Sequence, residues 1–240
     1  MRLDLYRVSI VLKALKPIPL VGFKEAIVLE ILSRLSGGVI SMDVDREQPF
    51  ILEPLSKCGF IRPGEVFRVR LIVRWGGFLE ELIERLPGSR IEECCVDEVN
   101  VESFVFEGVD VGFDGSVKVR VDICSPMVLV DDRGDVRFLP SLDVVRSSLC
   151  YRLRSIGFGG VDAVRGFFDG AMLLERGLNL RTIRVLVGHL RELTALTGFI
   201  YYVANGRGVM LLDLASRLGV GLYPYLGFGF VRYKVVRGVR

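Results

Sequence analysis

An α+β chain with the element order β-α-β-β-α-β written twice is what this sequence predicts. Two observations carry the expectation. Apolar residues recur with a spacing of two in some stretches and of about 3.6 in others, in that order along the chain. The same order is met before and after a glycine- and aspartate-bearing stretch from Val105 to Gly115. Half of the 240 residues are hydrophobic, so core material is plentiful for two units of ~110–120 residues each, an ordinary domain size.

The first unit opens with Leu3 to Leu12, which alternates as a strand with one face fully buried. A basic, proline-punctuated loop from Lys13 to Pro19 leads to a helix over Phe23 to Leu35, with Ile27, Val28, Ile31, Leu32 and Leu35 on one stripe. Gly37-Gly38 ends it. After a polar loop from Ser41 to Gln48, Pro49 to Leu55 is extended. Glu65 to Trp75 is a clear strand that carries Arg68, Arg70 and Arg74 on one face. Phe78 to Leu86 is a second helix and Ile91 to Phe106 is extended again.

The second unit repeats the outline. Val117, Val119, Val121 and Ile123 alternate with charged residues in a strand that Ser125-Pro126 is expected to break. Met127 to Val130 and Val136 to Leu139 flank Asp131-Asp132-Arg133-Gly134-Asp135, a hairpin turn by composition. The same aspartates resemble a metal cluster on paper, and the solvated turn is the preferred reading. Ser141 to Ile156 is a helix that Ser141 can N-cap. Gly157-Phe158-Gly159-Gly160 follows a helix, so it reads as a helix terminus and not as a dinucleotide loop. Arg181 to Val187 and Thr197 to Val203 are strands, Val209 to Leu218 is a short amphipathic helix, and Phe230 to Val236 closes the unit as a strand. This order is the ferredoxin-like motif. Two tandem ferredoxin-like domains, 1–108 and 109–240, are expected.

Gly219-Val220-Gly221-Leu222-Tyr223-Pro224-Tyr225-Leu226-Gly227-Phe228-Gly229-Phe230 holds two Gly-x-Gly pairs between the last helix and the last strand. Glycines in such a loop can expose backbone N–H groups to phosphate oxygens. Equally, Gly219 can be a helix C-cap, and Gly227 and Gly229 can lie where a strand passes under a neighbour. From Leu214 to Arg240 there is no Asp or Glu, while Arg217, Arg232, Lys234, Arg237 and Arg240 are basic. Local positive charge of this kind suits a nucleic-acid backbone, and Arg68, Arg70 and Arg74 on one strand face can track phosphates or cover apolar surface with their stems.

Other chemistry is sparse. The formal net charge is +3. The single histidine is His189, the five cysteines form no Cys-x-x-Cys pair, and no nucleophile elbow, P-loop or HExxH occurs. The cysteines read as buried thiols of a cytosolic protein, and one histidine argues against zinc. No run of 18 uncharged apolar residues exists, and Asp4, Arg7 and Lys13 near the N-terminus do not suit a signal peptide. Three asparagines and one glutamine are few, which suggests a thermophile.

Taken together, the sequence resembles the CRISPR-associated repeat-processing endoribonuclease family, the sixth Cas family of the RAMP superfamily. Gly219-Val220-Gly221 and Gly227-Phe228-Gly229 match that family's glycine-rich signature in spacing and in the hydrophobic residue inside each pair. Ser125-Pro126, then Phe138-Leu139-Pro140-Ser141 and a helix, resembles the start of its second domain. Gly198-Phe199-Ile200-Tyr201-Tyr202 before a helix resembles the approach to its glycine loop, and Leu20-Val21-Gly22 with the first strand and helix fits too. The resemblance implies binding of CRISPR repeat RNA at the glycine loop, with Gly219, Gly221, Gly227 and Gly229. The loop departs from the family in carrying no Lys or Arg from Leu222 to Leu226, where Tyr223 and Tyr225 can stack on bases instead, and Arg217, Arg232 and Lys234 are the RNA-binding cations that the local charge supplies. The resemblance also implies cleavage without a metal or cofactor, in which the RNA's 2′-OH attacks the adjacent phosphate. Many members place a catalytic histidine after the first helix; the stretch 37–48 here has none. Lys24, Arg46, Lys57 and His189 are therefore the catalytic candidates. A binder that does not cut and a structural subunit of a CRISPR effector complex are the alternatives. Other Cas subunits are candidate partners, as a monomer or homodimer in the cytoplasm.

Overall fold

The structure, a computed structural model, describes residues 2–20, 24–41, 48–56, 59–107, 115–131, 135–159, 161–187 and 191–236. Its first half contains β1 (Arg2–Ala14), β2 (Ile18–Leu20), α1 (Lys24–Leu35), β3 (Phe50–Leu52), β4 (Gly59–Ile61), β5 (Val66–Val73), α2 (Gly77–Arg85) and β6 (Cys94–Glu107). The second half contains β7 (Val117–Met127), β8 (Leu129–Val130), β9 (Val136–Arg137), α3 (Leu142–Ser155), α4 (Val161–Phe167), β10 (Leu173–Val187), β11 (Arg191–Ala204), α5 (Gly206–Leu218), a 3-10 turn (Pro224–Leu226) and β12 (Val231–Val235).

Two four-stranded antiparallel sheets result, ordered β3-β5-β1-β6 and β10-β11-β7-β12. Leaving out the two short accessory pairs, β2 with β4 and β8 with β9, each sheet has its first strand central and its fourth at the edge. This is the ferredoxin-like arrangement, present twice. The expected division between residues 108 and 109 falls in 108–114, outside the described residues.

The alternation of β1 sends its two faces to different cores. Val8, Ile10 and Leu12 lie with Val28 and Leu32 of α1 and Leu79 and Leu82 of α2. Leu3 and Leu5 turn the other way and, with Ile51, Ile72 and Phe106, join the core of the second half. In return the second half sends Tyr225, Leu226 and Phe228 into the core of the first. The two halves are thus joined by reciprocal apolar insertion.

Several elements differ from expectation. Strand β7 runs through Ser125-Pro126 to Met127, because a register shift between Leu196 and Gly198 of β11 absorbs the irregularity. Strand β10 begins at Leu173, eight residues before the predicted start. A bulge at Glu175/Gly177 interrupts its alternation and hides it from a period-two reading. Helix α4 and the β2–β4 pair were not anticipated. Ser141 stands at the N-cap of α3, but its hydroxyl makes no capping bond. Asn205 does cap: its Oδ1 accepts from Gly208 N and Met172 N, both at 2.9 Å, tying α5 to the start of β10. Asp131 braces its hairpin, accepting from Asp135 N at 3.0 Å and from Arg137 Nε at 2.9 Å. Of the cysteines, Cys94 and Cys150 are buried, Cys95 is half-buried and Cys124 is exposed, so burial holds for only part of the set; Cys58 lies outside the described residues.

Candidate nucleic-acid interface

Where the two sheets meet, an open cleft runs along the seam. Its middle, about 630 Å³, is lined by Arg7 and Arg70 of the first sheet and by Arg217, Arg232 and Cys124 of the second half, over Glu53, Pro54 and Leu55. The cleft extends past Ser56 to Arg68 at one end. At the other end it opens into a space of about 500 Å³ walled by Lys24, Glu25, Arg184, Ser125 and Gly227. Among the described residues, seven basic side chains (Lys24, Arg7, Arg68, Arg70, Arg184, Arg217, Arg232) and two acidic ones (Glu25, Glu53) line these three spaces. The acids are partly committed: Glu53 accepts from Arg7 Nε at 2.8 Å and lies 3.7 Å from Arg70. A cleft with this excess of cations attracts a polyanion, and low-dielectric walls strengthen the field inside it.

Glu25 is the exception inside the cleft. It is 9% exposed, and burial raises its carboxyl pKa above the usual carboxylate value. Its Oε1 accepts from Leu55 N at 3.5 Å. Beside it, the Lys24 ammonium donates to the Leu55 carbonyl. Helix α1 therefore presents a cation and a carboxyl with raised pKa at the same mouth.

The glycine loop forms the floor between these groups. Its organiser is Arg152 on α3, 0% exposed. The guanidinium Nε donates to Gly221 O at 3.0 Å, one terminal nitrogen to Leu218 O at 2.7 Å, and the other to Val220 O at 3.1 Å and Phe228 O at 2.6 Å. Burial pushes its pKa down to about 9, while four carbonyl oxygens favour the charged form, so the group is a cation at neutral pH. Carbonyls can converge on one guanidinium only if the chain doubles back closely. Gly229 has φ +72°, and a Cβ there would sit 1.7 Å from Val220 O. Gly221 has φ +91°, and a Cβ would sit 2.2 Å from Val128 O. Both positions demand glycine by conformation and by space.

This changes the reading of the loop. Val220 N donates to Gly229 O, Leu222 N to Val128 O, Gly229 N to Pro126 O and Gly227 N to Pro224 O. Phe230 N donates to Ser125 Oγ at 2.9 Å. The N–H groups expected to cradle phosphate are therefore spent largely inside the protein, and Gly219, Gly221, Gly227 and Gly229 shape the cleft instead of lining it with donors. Tyr225 is 4% exposed in the core of the first half, which leaves no face for a base. Tyr223 is half-buried and meets Tyr225 and Phe228 edge-on at 6.3 and 6.2 Å.

The expected cations fare better. Arg217 and Arg232 are exposed in the cleft; Arg217 pairs with Asp213 at 3.0 Å and lies 5.9 Å from the Phe106 ring centre. Lys234 is exposed on the neighbouring sheet face. Arg68 and Arg70 line the cleft, whereas Arg74 turns away and donates to Gly157 O. Lys24 is in the cleft; Arg46, Lys57 and His189 lie outside the described residues. Sequence reasoning missed Arg152, Arg7 and Arg184. Arg152 follows Leu149 by three positions on the apolar stripe of α3, where a charged residue is out of place and signals a buried role.

No family model and no curated protein matches the sequence. Solved structures match the fold. Thermus thermophilus Cas6 is similar at 18% identity and a TM-score of 0.61, over 96% of this chain and 98% of that one. A Cas6 product complex is similar at 21% identity and 0.56, over 97% and 100%. A partial Cas6-RT-Cas1–Cas2 complex gives 13% identity and 0.61, over 97% of this chain and 46% of that one. At these identities the likeness is one of fold, and the expected resemblance is met at that level.

Proposed function

We propose that this chain binds CRISPR repeat RNA along the interdomain cleft and cuts it there without a metal ion. The observation that supports this best is the cationic seam, set in a fold that matches Cas6 structures nearly end to end, one of them described as a product complex. In the reaction a base removes the proton of a 2′-OH, the freed oxygen attacks the adjacent phosphorus, the P–O5′ bond breaks, and an acid protonates the departing 5′-oxygen. The products are a 2′,3′-cyclic phosphate and a 5′-hydroxyl end. Lys24 supplies positive charge for the phosphorane at the cleft mouth, and Arg7, Arg70 and Arg232 hold the flanking phosphates.

A second reading, that the chain holds repeat RNA without cutting it, is favoured by the absence of histidine from 37–48. One experiment separates the two. End-labelled repeat RNA is incubated with the protein in EDTA, beside the same RNA carrying a 2′-deoxy substitution at the cut position. A single cut that survives EDTA and vanishes with the deoxy RNA supports the endoribonuclease. Tight, repeat-selective binding without a cut supports the holder. Neither binding nor cutting ends both readings.

A further inference from the structure

The open face of the second sheet, away from its helices, carries a feature that the cleft does not use. Strand β11 places Phe199 and Tyr201 on this face, two residues apart, while Ile200 and Tyr202 between and after them are buried. Their rings meet edge-to-face at 5.6 Å. On β7, Arg120 lies directly opposite Tyr201 and Asp122 opposite Phe199. The Arg120 guanidinium lies 4.0 Å from the Phe199 ring centre, held by Asp122, which accepts from its Nε at 2.7 Å. Lys118 Nζ is 4.8 Å from the centre of Tyr201. Across the other side of β7, Lys234 pairs with Arg120 and Arg232 with Asp122, both exposed.

Every element of this face suits unpaired nucleotides. Aromatic rings and guanidinium planes offer surfaces on which bases stack. Two outward aromatics two residues apart on the third strand of a ferredoxin-like unit is the disposition that RNA-recognition sheets use, and Gly198-Phe199-Ile200-Tyr201 follows their glycine-aromatic-x-aromatic spacing. Gly177, opposite Tyr201 on β10, puts no side chain against that ring, where a Cβ would lie 3.9 Å from it. Among the described residues, Lys118, Arg120, Arg232 and Lys234 against the single acid Asp122 give the face the sign a phosphate backbone requires. Arg232 also lines the cleft, so the platform is continuous with it.

We infer that this face, centred on Phe199, Tyr201 and Arg120, is a binding site for single-stranded RNA, holding about two unpaired bases by stacking as the strand leaves the cleft. The inference rests on the RNA-binding reading above and adds to it the form of the ligand, since a paired base has no free face to offer.

The test uses the full chain and fluorescein-labelled ten-nucleotide oligoadenylate and oligouridylate, measured by anisotropy. Phe199→Leu/Tyr201→Leu should weaken binding about 30-fold, the loss of two modestly stacked bases. Oligoadenylate should bind the wild type more tightly than oligouridylate, because purines stack better. Arg70→Ala, in the cleft, should weaken both RNAs by less and lower the salt dependence. Thermal melts of the leucine variant guard against misfolding. Independently of any variant, RNA carrying 5-bromouracil should photocross-link the unmodified protein at peptides containing Phe199 or Tyr201. If the wild type binds these RNAs, the leucine variant binds equally, and cross-links map only to the cleft, the platform is overturned and the cleft reading stands. If light scattering shows that the leucine changes alter self-association and leave RNA affinity intact, the face docks a second copy of the chain and the inference fails. If the wild type binds neither oligomer, the platform is overturned, while the functional proposal is judged separately by the repeat-RNA incubation described above.

Discussion

Arg152→Met tests whether one buried guanidinium builds the glycine loop. The change removes four hydrogen bonds from a charged donor to the carbonyls of Leu218, Val220, Gly221 and Phe228. Bonds to charged groups contribute about 1.5–3 kcal/mol each, so a simple sum gives ~6–12 kcal/mol. Methionine also removes the desolvation cost of the cation, several kcal/mol in a dry site. The balance is a loss of about 3–5 kcal/mol, or about 10 °C in melting temperature for a chain of this length. Arg152→Lys keeps the charge but replaces a flat five-donor fork with a compact three-donor ammonium. It should cost less, about 2 kcal/mol. Calorimetric melts and urea midpoints on the three proteins give the numbers. A methionine variant within ~1 kcal/mol of wild type would refute the reasoning, because the carbonyls would then have other partners.

Three further outcomes follow from particular positions. Gly229→Ala should cost at least 3 kcal/mol, since conformation and space both forbid a Cβ. Gly88→Ala, with φ +70° and nothing within 4 Å, should cost only about 1 kcal/mol; equal losses in urea melts would contradict the packing argument. Glu25→Gln addresses pH. Burial raises the folded carboxyl above its ordinary 4.5, so its contribution to stability is whole below 4.5 and is lost as the pH rises through the raised value. The melting temperature of the glutamine variant should therefore gain on wild type between pH 4 and pH 7, and a constant difference would count against it. Arg70→Ala and Arg232→Ala should each reduce the slope of log affinity for single-stranded RNA against log salt by about 0.7, and unchanged slopes would remove those residues from the phosphate path.

Much of the fold was legible because strands and helices announce themselves by period. Leu3 to Leu12 and Glu65 to Trp75 alternate cleanly, and Gly37-Gly38 stops α1 where φ turns positive. Strand β10 was half-hidden by its bulge, since one inserted residue reverses the alternation. The glycine loop was visible in spacing and misread in purpose. Its partner, Arg152, stands 66 residues before Leu218 and 76 before Phe228, a distance over which no local pattern operates. The cleft had the same difficulty: Arg68 and Arg70 could be placed on one face, but Arg7, Arg184 and Arg217 come from separate elements that only the tertiary fold assembles. Phe199 and Tyr201 alternate in the sequence like any strand pair, and only the fold sets Arg120 and Lys118 of β7 beside their rings.

The reciprocal insertion of the two halves has a consequence for synthesis. Tyr225, Leu226 and Phe228 complete the core of the first half, yet they leave the ribosome roughly 120 residues after β6, on the order of 10 s later at translation rates of about 5–20 residues per second. Through that interval the nascent first half has its strands and helices but lacks Tyr225, Leu226 and Phe228, which join Val128 and Ala195 in its core, and the apolar seat that the 3-10 turn fills beside β3 and α1 faces water. The stretch from Tyr225 to Phe228 therefore acts as a latch on the first half: a ribosome that stalls short of it leaves that core open.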